Sequence, residues 1–72
     1  MGKKFYIATT DRSFTEEKTL DHAIGHLEDN LKEGEEGTID CFQFYKGNEG
    51  EYFCVWHKRY KKNVMLEIVE EW

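Results

Sequence analysis

The chain has 72 residues, 39% of them hydrophobic and 15% aromatic, and a formal net charge of −5 at pH 7. A chain this short holds one domain, and its apolar content is high enough for a folded core, which argues against disorder. The sequence pI of about 5.1 disfavours a nucleic-acid-binding module, and no apolar run approaches the ~20 residues of a membrane-spanning helix.

Two further features of the sequence concern the cellular compartment. The N-terminal residues Met-Gly-Lys-Lys lack the apolar stretch of a signal peptide. Cys41 and Cys54 show none of the spacings of a disulfide framework. We therefore expect reduced thiols and a cytoplasmic location.

The first predicted elements are a strand and an amphipathic helix. Residues 4–9 alternate and are β-prone, with Phe5 and Ile7 on one face and Tyr6 and Ala8 on the other. Ser13 followed by Glu16 matches a capping box, so the helix is predicted over residues 14–33, with Gly34 just after its end. Its apolar side chains recur at three- and four-residue spacing: Leu20, Ala23, Ile24, Leu27 and Leu31.

Three more strands are predicted in the second half of the chain. They cover residues 38–46, 51–57 and 63–70, with a glycine-rich turn at 47–50 and a basic connection at 58–62. The predicted fold is therefore α+β in the order β-α-β-β-β, with one helix packed on a small, mainly antiparallel sheet. The first strand is expected to pair with the last strand or to insert beside it.

Both faces of the predicted sheet carry large apolar side chains, although one helix covers only one face. Phe42 and Phe44 alternate with Ile39, Cys41 and Tyr45 along one strand. The second face is interpreted as the interface of a homodimer, with Trp72 packing across it or fraying. The alternative is a twisted or bulged sheet whose aromatic side chains cover one another. The residues assigned to the dimer interface are Tyr52, Cys54, Trp56 and Met65.

Catalytic and metal-binding chemistry finds little support in the sequence. His22 and His26 have the helical spacing of two metal ligands, but we interpret them as solvated helix residues. Cys54 and His57 lie three apart on one strand, which would point them to opposite faces. The glycines form no phosphate-binding loop. We expect no enzyme activity and no cofactor, and a small metal-binding or cysteine enzyme stays the second alternative.

The first alternative function is nucleic-acid binding by residues 56–62. This segment, Trp-His-Lys-Arg-Tyr-Lys-Lys, interleaves aromatic rings with cations as single-strand binders do. The acidic net charge opposes it, and a solvated basic turn explains the same residues.

The acidic residues provide the main functional prediction. Between Ser13 and Glu51 there are eleven acidic and three basic residues, a local charge of three minus eleven, or about −8. On the predicted helix they would span roughly 25 Å, and duplex DNA carries one phosphate charge per ~1.7 Å of axis. An ordered carboxylate array is therefore predicted to bind a basic groove. The predicted binding residues are Glu16, Glu17, Asp21, Glu28, Asp29, Glu33, Glu35, Glu36 and Asp40.

In size, charge and element order the whole chain resembles small acidic, proline-poor, phage-encoded host-takeover proteins of the DNA-mimic type. One class of these is a dimeric inhibitor of the bacterial nucleoid protein HU. The acidic stretch from Glu16 to Asp40 and the apolar second sheet face carry the resemblance. It implies a homodimer in the host cytoplasm that occludes the DNA-binding surface of a basic protein such as HU and binds no nucleic acid directly.

Overall fold

The computed structural model describes residues 3–45 and 48–71, which form one helix on a five-stranded antiparallel sheet. The predicted α+β class is confirmed, with one strand more than the sequence indicated. The elements are β1 (Lys4–Thr9), β2 (Phe14–Glu17), α1 (Leu20–Asn30), β3 (Glu36–Tyr45), β4 (Asn48–Lys62) and β5 (Ile68–Glu71). The strand order across the sheet is β2-β1-β3-β4-β5. The predicted pairing of the first and last strands is therefore wrong, because β1 lies between β2 and β3 while β5 pairs with β4.

The predicted capping box is replaced by a hairpin. The Thr10 amide donates to the Ser13 carbonyl at 2.7 Å, and β2 then pairs with β1 from Thr9 opposite Phe14 to Tyr6 opposite Glu17. Residues 14–17 are thus a strand and not the first turn of the helix. An aromatic residue and a β-branched threonine favour the extended backbone here, and pairing with β1 satisfies amides that the capping box was expected to satisfy.

The helix begins at Leu20 and ends at Asn30, shorter than predicted at both ends. Thr19 is its N-cap, and its side-chain oxygen accepts a hydrogen bond from the His22 amide at 3.2 Å. At the other end Leu31 leaves the helix in an extended conformation. Gly34, with φ of 85°, does not follow the helix directly. It is the third residue of a turn closed by the Glu35 amide on the Lys32 carbonyl, a position that favours glycine.

The apolar stripe of the helix packs where the sequence predicts. Ala23, Leu27 and Leu31 lie with Ala8 and Ile39 in one buried cluster, completed by Tyr60 and flanked by half-buried Leu20, Ile24 and Trp56. Gly37 of β3 lies directly below the helix. A Cβ atom built on it would stand 2.8 Å from Leu27 Cδ2 and 3.0 Å from the Thr9 carbonyl oxygen. The close contact between helix and sheet therefore depends on a residue without a side chain.

One extra residue, Val55, forms a β-bulge in β4. Cys41 of β3 lies opposite Trp56, whereas the next residue, Phe42, lies opposite Cys54. Because paired residues share a face, Trp56 joins the helix face while Tyr52 and Cys54 remain on the open face. The predicted alternation of Tyr52, Cys54 and Trp56 on one face is therefore wrong. The bulge also places Cys54 and His57 on the same face, opposite to what regular alternation predicts.

The basic segment at residues 58–62 is not a connection but the last part of β4. Tyr60, 6% exposed, packs in the core opposite Gly37, and the Lys58 ammonium lies 4.8 Å from the centre of the Trp56 ring. Along this segment, side chains that contact the core alternate with cations that point away from it, and this pattern extends the strand to Lys62. The turn to β5 then occupies residues 63–67, so only Ile68 onward forms the predicted last strand.

The open face, away from the helix, carries a cluster of four aromatic rings. Phe5 stacks on Phe42 with centroids 5.2 Å apart, and Tyr52 meets Phe5, Phe42 and Phe44 edge-on at 5.4 to 6.0 Å. Phe5 is only 9% exposed, whereas Tyr52 is 55% exposed. Mutual covering, the alternative in the sequence analysis, is thus present but incomplete. Residues 48–50 of the predicted turn at 47–50 are the start of β4, so the predicted turn is wrong there. Residue 47 and Trp72 lie outside the described residues.

Candidate protein-binding site

Five predicted carboxylates form one surface, called here the acidic patch. Helix α1 exposes Asp21, Glu28 and Asp29, and the loop after it exposes Glu33. Glu17, on the helix-side face of β2, lines a shallow depression of about 350 Å³ together with Asp21 and Asp29. His22, Gly25 and His26 complete the lining of this depression. The acidic patch comprises Glu17, Asp21, Glu28, Asp29 and Glu33.

Two carboxylates of the acidic patch are placed against the helix dipole, whereas Asp21 lies in the first turn, where the dipole favours a negative charge. Glu28 and Asp29 lie in the last turn of α1, which contains no basic residue. The C-terminal end of a helix carries partial negative charge, so each carboxylate there costs about 0.3–1 kcal/mol at low salt. The Lys62 ammonium and the Arg12 guanidinium offset part of this cost by donating to the Glu28 and Asn30 carbonyls at 2.7 and 2.6 Å. The cations at this end of the helix therefore come from other parts of the fold and not from the helix itself.

The patch is more compact than the sequence predicts. From Asp21 to Asp29 the helix axis rises only about 12 Å, in place of the predicted 25 Å. Glu16 is not part of it, because it lies opposite Ile7 on the other face of the sheet. The geometry is a localised negative surface and not a linear row of charges.

Glu35 belongs to a structural ion pair and not to the acidic patch. Its carboxylate accepts both Arg12 guanidinium nitrogens, at 2.8 and 3.1 Å, and the Lys32 amide at 2.7 Å. The Arg12 hydrogen bonds, helped by the Lys32 amide, lower the pKa of Glu35 from 4.5 to about 2. Arg12 also donates to the Asn30 carbonyl at 2.6 Å, so the pair ties the β1–β2 loop to the end of the helix.

The Arg12–Glu35 pair predicts a specific acid sensitivity. Because the folded pKa is depressed, the stabilisation is present above the unfolded value near 4.5 and is lost as the pH falls toward 2. We expect Glu35→Gln to be less stable than the parent at pH 7 and to lose less stability between pH 4.5 and 2. Urea unfolding at a series of pH values measures this. Arg12→Gln should give the same flattened profile, and an unchanged profile in both variants would contradict the assignment.

Two other predicted binding residues also have partners within the fold. Asp40 pairs with His57 across β3 and β4 on the open face. Glu36 lies opposite Lys61, and its hydrogen bond to Glu71 raises the pKa of the Glu71 carboxyl. Asp40 and Glu36 thus lie beside residues of neighbouring strands and away from the acidic patch.

The basic segment is balanced by acids of the same sheet. Lys58 Nζ lies 3.6 Å from Glu70 Oε1, Arg59 lies opposite Glu71 in the ladder, and Lys61 lies opposite Glu36. Lys62 is bound to the helix end. The cations that the sequence analysis assigned to possible nucleic-acid binding thus lie beside carboxylates or carbonyls of the fold, which leaves the excess negative charge on the helix.

Ser13, His26 and Asn30 form a hydrogen-bonded chain that superficially resembles a catalytic triad. His26 Nε2 lies 3.1 Å from Ser13 Oγ, and Asn30 Nδ2 lies 3.3 Å from His26 Nδ1. Asn30 Nδ2 also donates to the His26 carbonyl at 2.8 Å, which fixes it as the donor on that side. Nδ1 then accepts, so Nε2 carries the proton and donates to Ser13 Oγ. That tautomer cannot take a proton from Ser13, and the chain serves to fasten β2 to the helix.

Metal ligation was weighed for the histidines and cysteines. Among residues 3–45 and 48–71, no group of three or more His, Cys, Asp and Glu side chains is arranged to hold a metal ion. Cys41 is buried and Cys54 is exposed, and Cys54 donates weakly to the Trp56 carbonyl at 3.4 Å. His22 is exposed on the helix.

The four predicted dimer residues are dispersed. Tyr52 and Cys54 share the open face, Trp56 packs toward the helix with its ring 6.0 Å from Tyr6, and Met65 lies in the turn between β4 and β5. That turn is the feature the sequence analysis missed, because Val64 and Leu66 fit a strand pattern. The available signal was Asn63, since asparagine commonly starts a turn by accepting backbone amides two residues on.

Comparison of the chain with protein-family models, curated protein sequences and solved structures gave no significant match. In the described part of the chain, no helix has the length and apolar character needed to cross a membrane. The feature of the molecule that points to a function is the acidic surface on the outer side of helix α1.

Proposed function

We propose that this chain is a non-enzymatic protein that binds a basic partner protein through the acidic patch and occludes that partner's DNA-binding surface. The observation that carries the proposal is the position of Glu28 and Asp29. They lie exposed at the helix end where the dipole disfavours them. The internal cations at that end, Arg12 and Lys62, bind helix carbonyls and not these carboxylates, so the carboxylate charge is available to an external cation. The basic segment adds support. Its cations lie beside carboxylates or carbonyls of the same fold, so the acidic patch is the dominant source of the surface electrostatic field.

The partner is a protein whose DNA-binding surface is lined with lysine and arginine, and the bacterial nucleoid protein HU is the first one to test. Carboxylates on a rigid helix steer such a partner and raise the association rate. Complementarity of this kind weakens with salt, because the Debye length falls from about 10 Å at 0.1 M to about 3 Å at 1 M.

The test is a titration of purified HU with the chain at several salt concentrations, followed by competition with duplex DNA. We expect binding that weakens as salt rises and that duplex DNA displaces. The chain alone should not shift single-stranded DNA or RNA. Binding to HU that is equally tight at low and high salt, or a complex that DNA leaves intact, would contradict the proposed mechanism.

We also propose that two copies pair through the open face. A domain normally buries its apolar surface between two packed layers. Here the β3–β4 hairpin extends beyond the helix, and Tyr52 on the open face is 55% exposed. Sedimentation equilibrium should show a concentration-dependent dimer, and Tyr52→Asn should weaken it by about tenfold or more. Phe53→Asn is the matched control, since Phe53 lies on the other face, opposite Gln43. A monomer at every concentration would refute this pairing.

A further inference from the structure

The turn between β4 and β5 exposes three consecutive apolar side chains, called here the apolar tip. Val64 is 78% exposed, Met65 74% and Leu66 59%. Tight turns at the surface usually carry glycine, asparagine, aspartate or serine. Single exposed apolar residues are ordinary, but three in a row at the end of a hairpin form a concentrated apolar surface.

The apolar tip is held on an ordered turn. Asn63 Oδ1 accepts the Met65 amide at 3.0 Å and the Glu67 amide at 2.9 Å. The Leu66 amide donates to the Asn63 carbonyl, and the Asn63 amide donates to the Glu67 carbonyl, both at 2.9 Å. Backbone groups close the turn, and the three apolar side chains contribute nothing to its hydrogen bonding.

Leu66 has an unfavourable backbone conformation. Its φ is 63°, a left-handed value that no other described non-glycine residue adopts. Glycine and asparagine tolerate this region, whereas a leucine there is strained. A leucine in this position is both strained and exposed to water, so the stability of the turn does not explain its presence.

The apolar tip adjoins the acidic patch. The Lys62 amide donates to the Glu35 carbonyl at 3.0 Å, and the Gly34 amide donates to the Lys62 carbonyl at 2.7 Å. Lys62 Nζ reaches the Glu28 carbonyl. The turn thus begins beside the end of the helix and beside the loop that carries Glu33. Glu67, which lies within the turn, is exposed.

We propose that the apolar tip is the anchor that holds the basic partner once the acidic patch has attracted it. Its occupant is an apolar pocket within the partner's basic surface, because the exposed Glu67 lies in the same turn and the turn begins beside the loop that carries Glu33. Charges at the rim of such an interface set the association rate, while a rigid apolar side chain in a pocket sets the dissociation rate. This inference rests on the proposed function.

The test compares dissociation of purified HU from the parent chain and from Leu66→Gly. We expect dissociation to be at least tenfold faster in the variant, with the salt dependence of association unchanged. The thermal midpoint of Leu66→Gly should equal or exceed that of the parent, because glycine relieves the strain. Leu66→Asn keeps a residue that accepts the left-handed conformation and should show the same loss. Tyr45→Ser, which removes an exposed ring at the other end of β3, should dissociate at the parent rate.

The outcomes separate the two proposals. If the parent binds HU and both Leu66 variants dissociate at the parent rate, the anchor is refuted while the proposed function stands. A lower thermal midpoint in both variants would also refute it, because Leu66 would then support the fold. If the parent itself fails to bind HU, the proposed function falls and the anchor falls with it.

Discussion

Neutralising the three helical carboxylates of the acidic patch is expected to weaken the proposed binding to HU by roughly 10- to 150-fold. The variant is Asp21→Asn/Glu28→Gln/Asp29→Asn. Exposed ion pairs contribute about 0.2–1 kcal/mol each, and partial desolvation in an interface places these three at the upper end. A total of roughly 1.5–3 kcal/mol corresponds to that range in Kd. The dependence of Kd on salt concentration should also become weaker in the variant. Isothermal titration calorimetry at several salt concentrations would measure this.

The same variant is expected to have a stability close to that of the parent. Removing the Glu28 and Asp29 charges from the last turn of α1 relieves an unfavourable interaction with the helix dipole, whereas removing the Asp21 charge from the first turn loses a favourable one. Urea unfolding of the variant shows whether any lost affinity reflects unfolding. The matched control is Asp11→Asn/Glu16→Gln/Glu51→Gln, which makes the same change in net charge at three exposed residues outside the patch. Equal loss of affinity in both triple variants would mean that overall charge, and not the patch, governs binding.

Placing a methyl group on Gly37 is expected to destabilise the chain by about 1–3 kcal/mol. The new Cβ would stand 2.8 Å from Leu27 Cδ2 and 3.0 Å from the Thr9 carbonyl oxygen. Leu27 is fully buried and cannot turn away, and the second contact is backbone, so the helix must move off the sheet. Urea unfolding of Gly37→Ala measures the effect, and in a domain this small the midpoint temperature should fall by roughly 4–8 °C per kcal/mol.

Gly25→Ala is the matched control for the Gly37 variant. Gly25 lies within α1, and a Cβ built there meets nothing within 4 Å. Alanine is favoured over glycine in a helix interior by about 1 kcal/mol, so this variant should gain stability. A Gly37→Ala protein as stable as the parent would show that the close approach of helix and sheet can relax.

The helix and its buried face could be predicted from the sequence because a single periodic pattern of apolar residues indicates both. Ala23, Leu27 and Leu31 repeat at helical spacing, and the same residues are buried against Ala8 and Ile39. The first strand was predicted with the bounds it has. These features depend on local periodicity, which a sequence displays directly.

The errors arose where pairing between strands overrode a local signal. The Ser13 capping signal gave way to a hairpin, since β2 bonds to β1. The bulge at Val55 leaves no mark in composition, yet it changes which face every preceding residue of β4 occupies. The acidic residues were identified in the sequence, but only the structure separates Glu35 and Asp40, which have internal partners, from Asp21 and Asp29.

The bulge at Val55 also bears on how the chain avoids aggregation. In the described part of the sheet, β5 pairs only with β4 residues from Arg59 to Lys62, so the aromatic part of β4 borders the sheet. A long, flat strand edge with Tyr52 and Phe53 would be a template for pairing with other chains. An extra residue interrupts the even spacing of amides and carbonyls and increases the local twist. Val55 therefore makes this edge a poor match for a second extended strand.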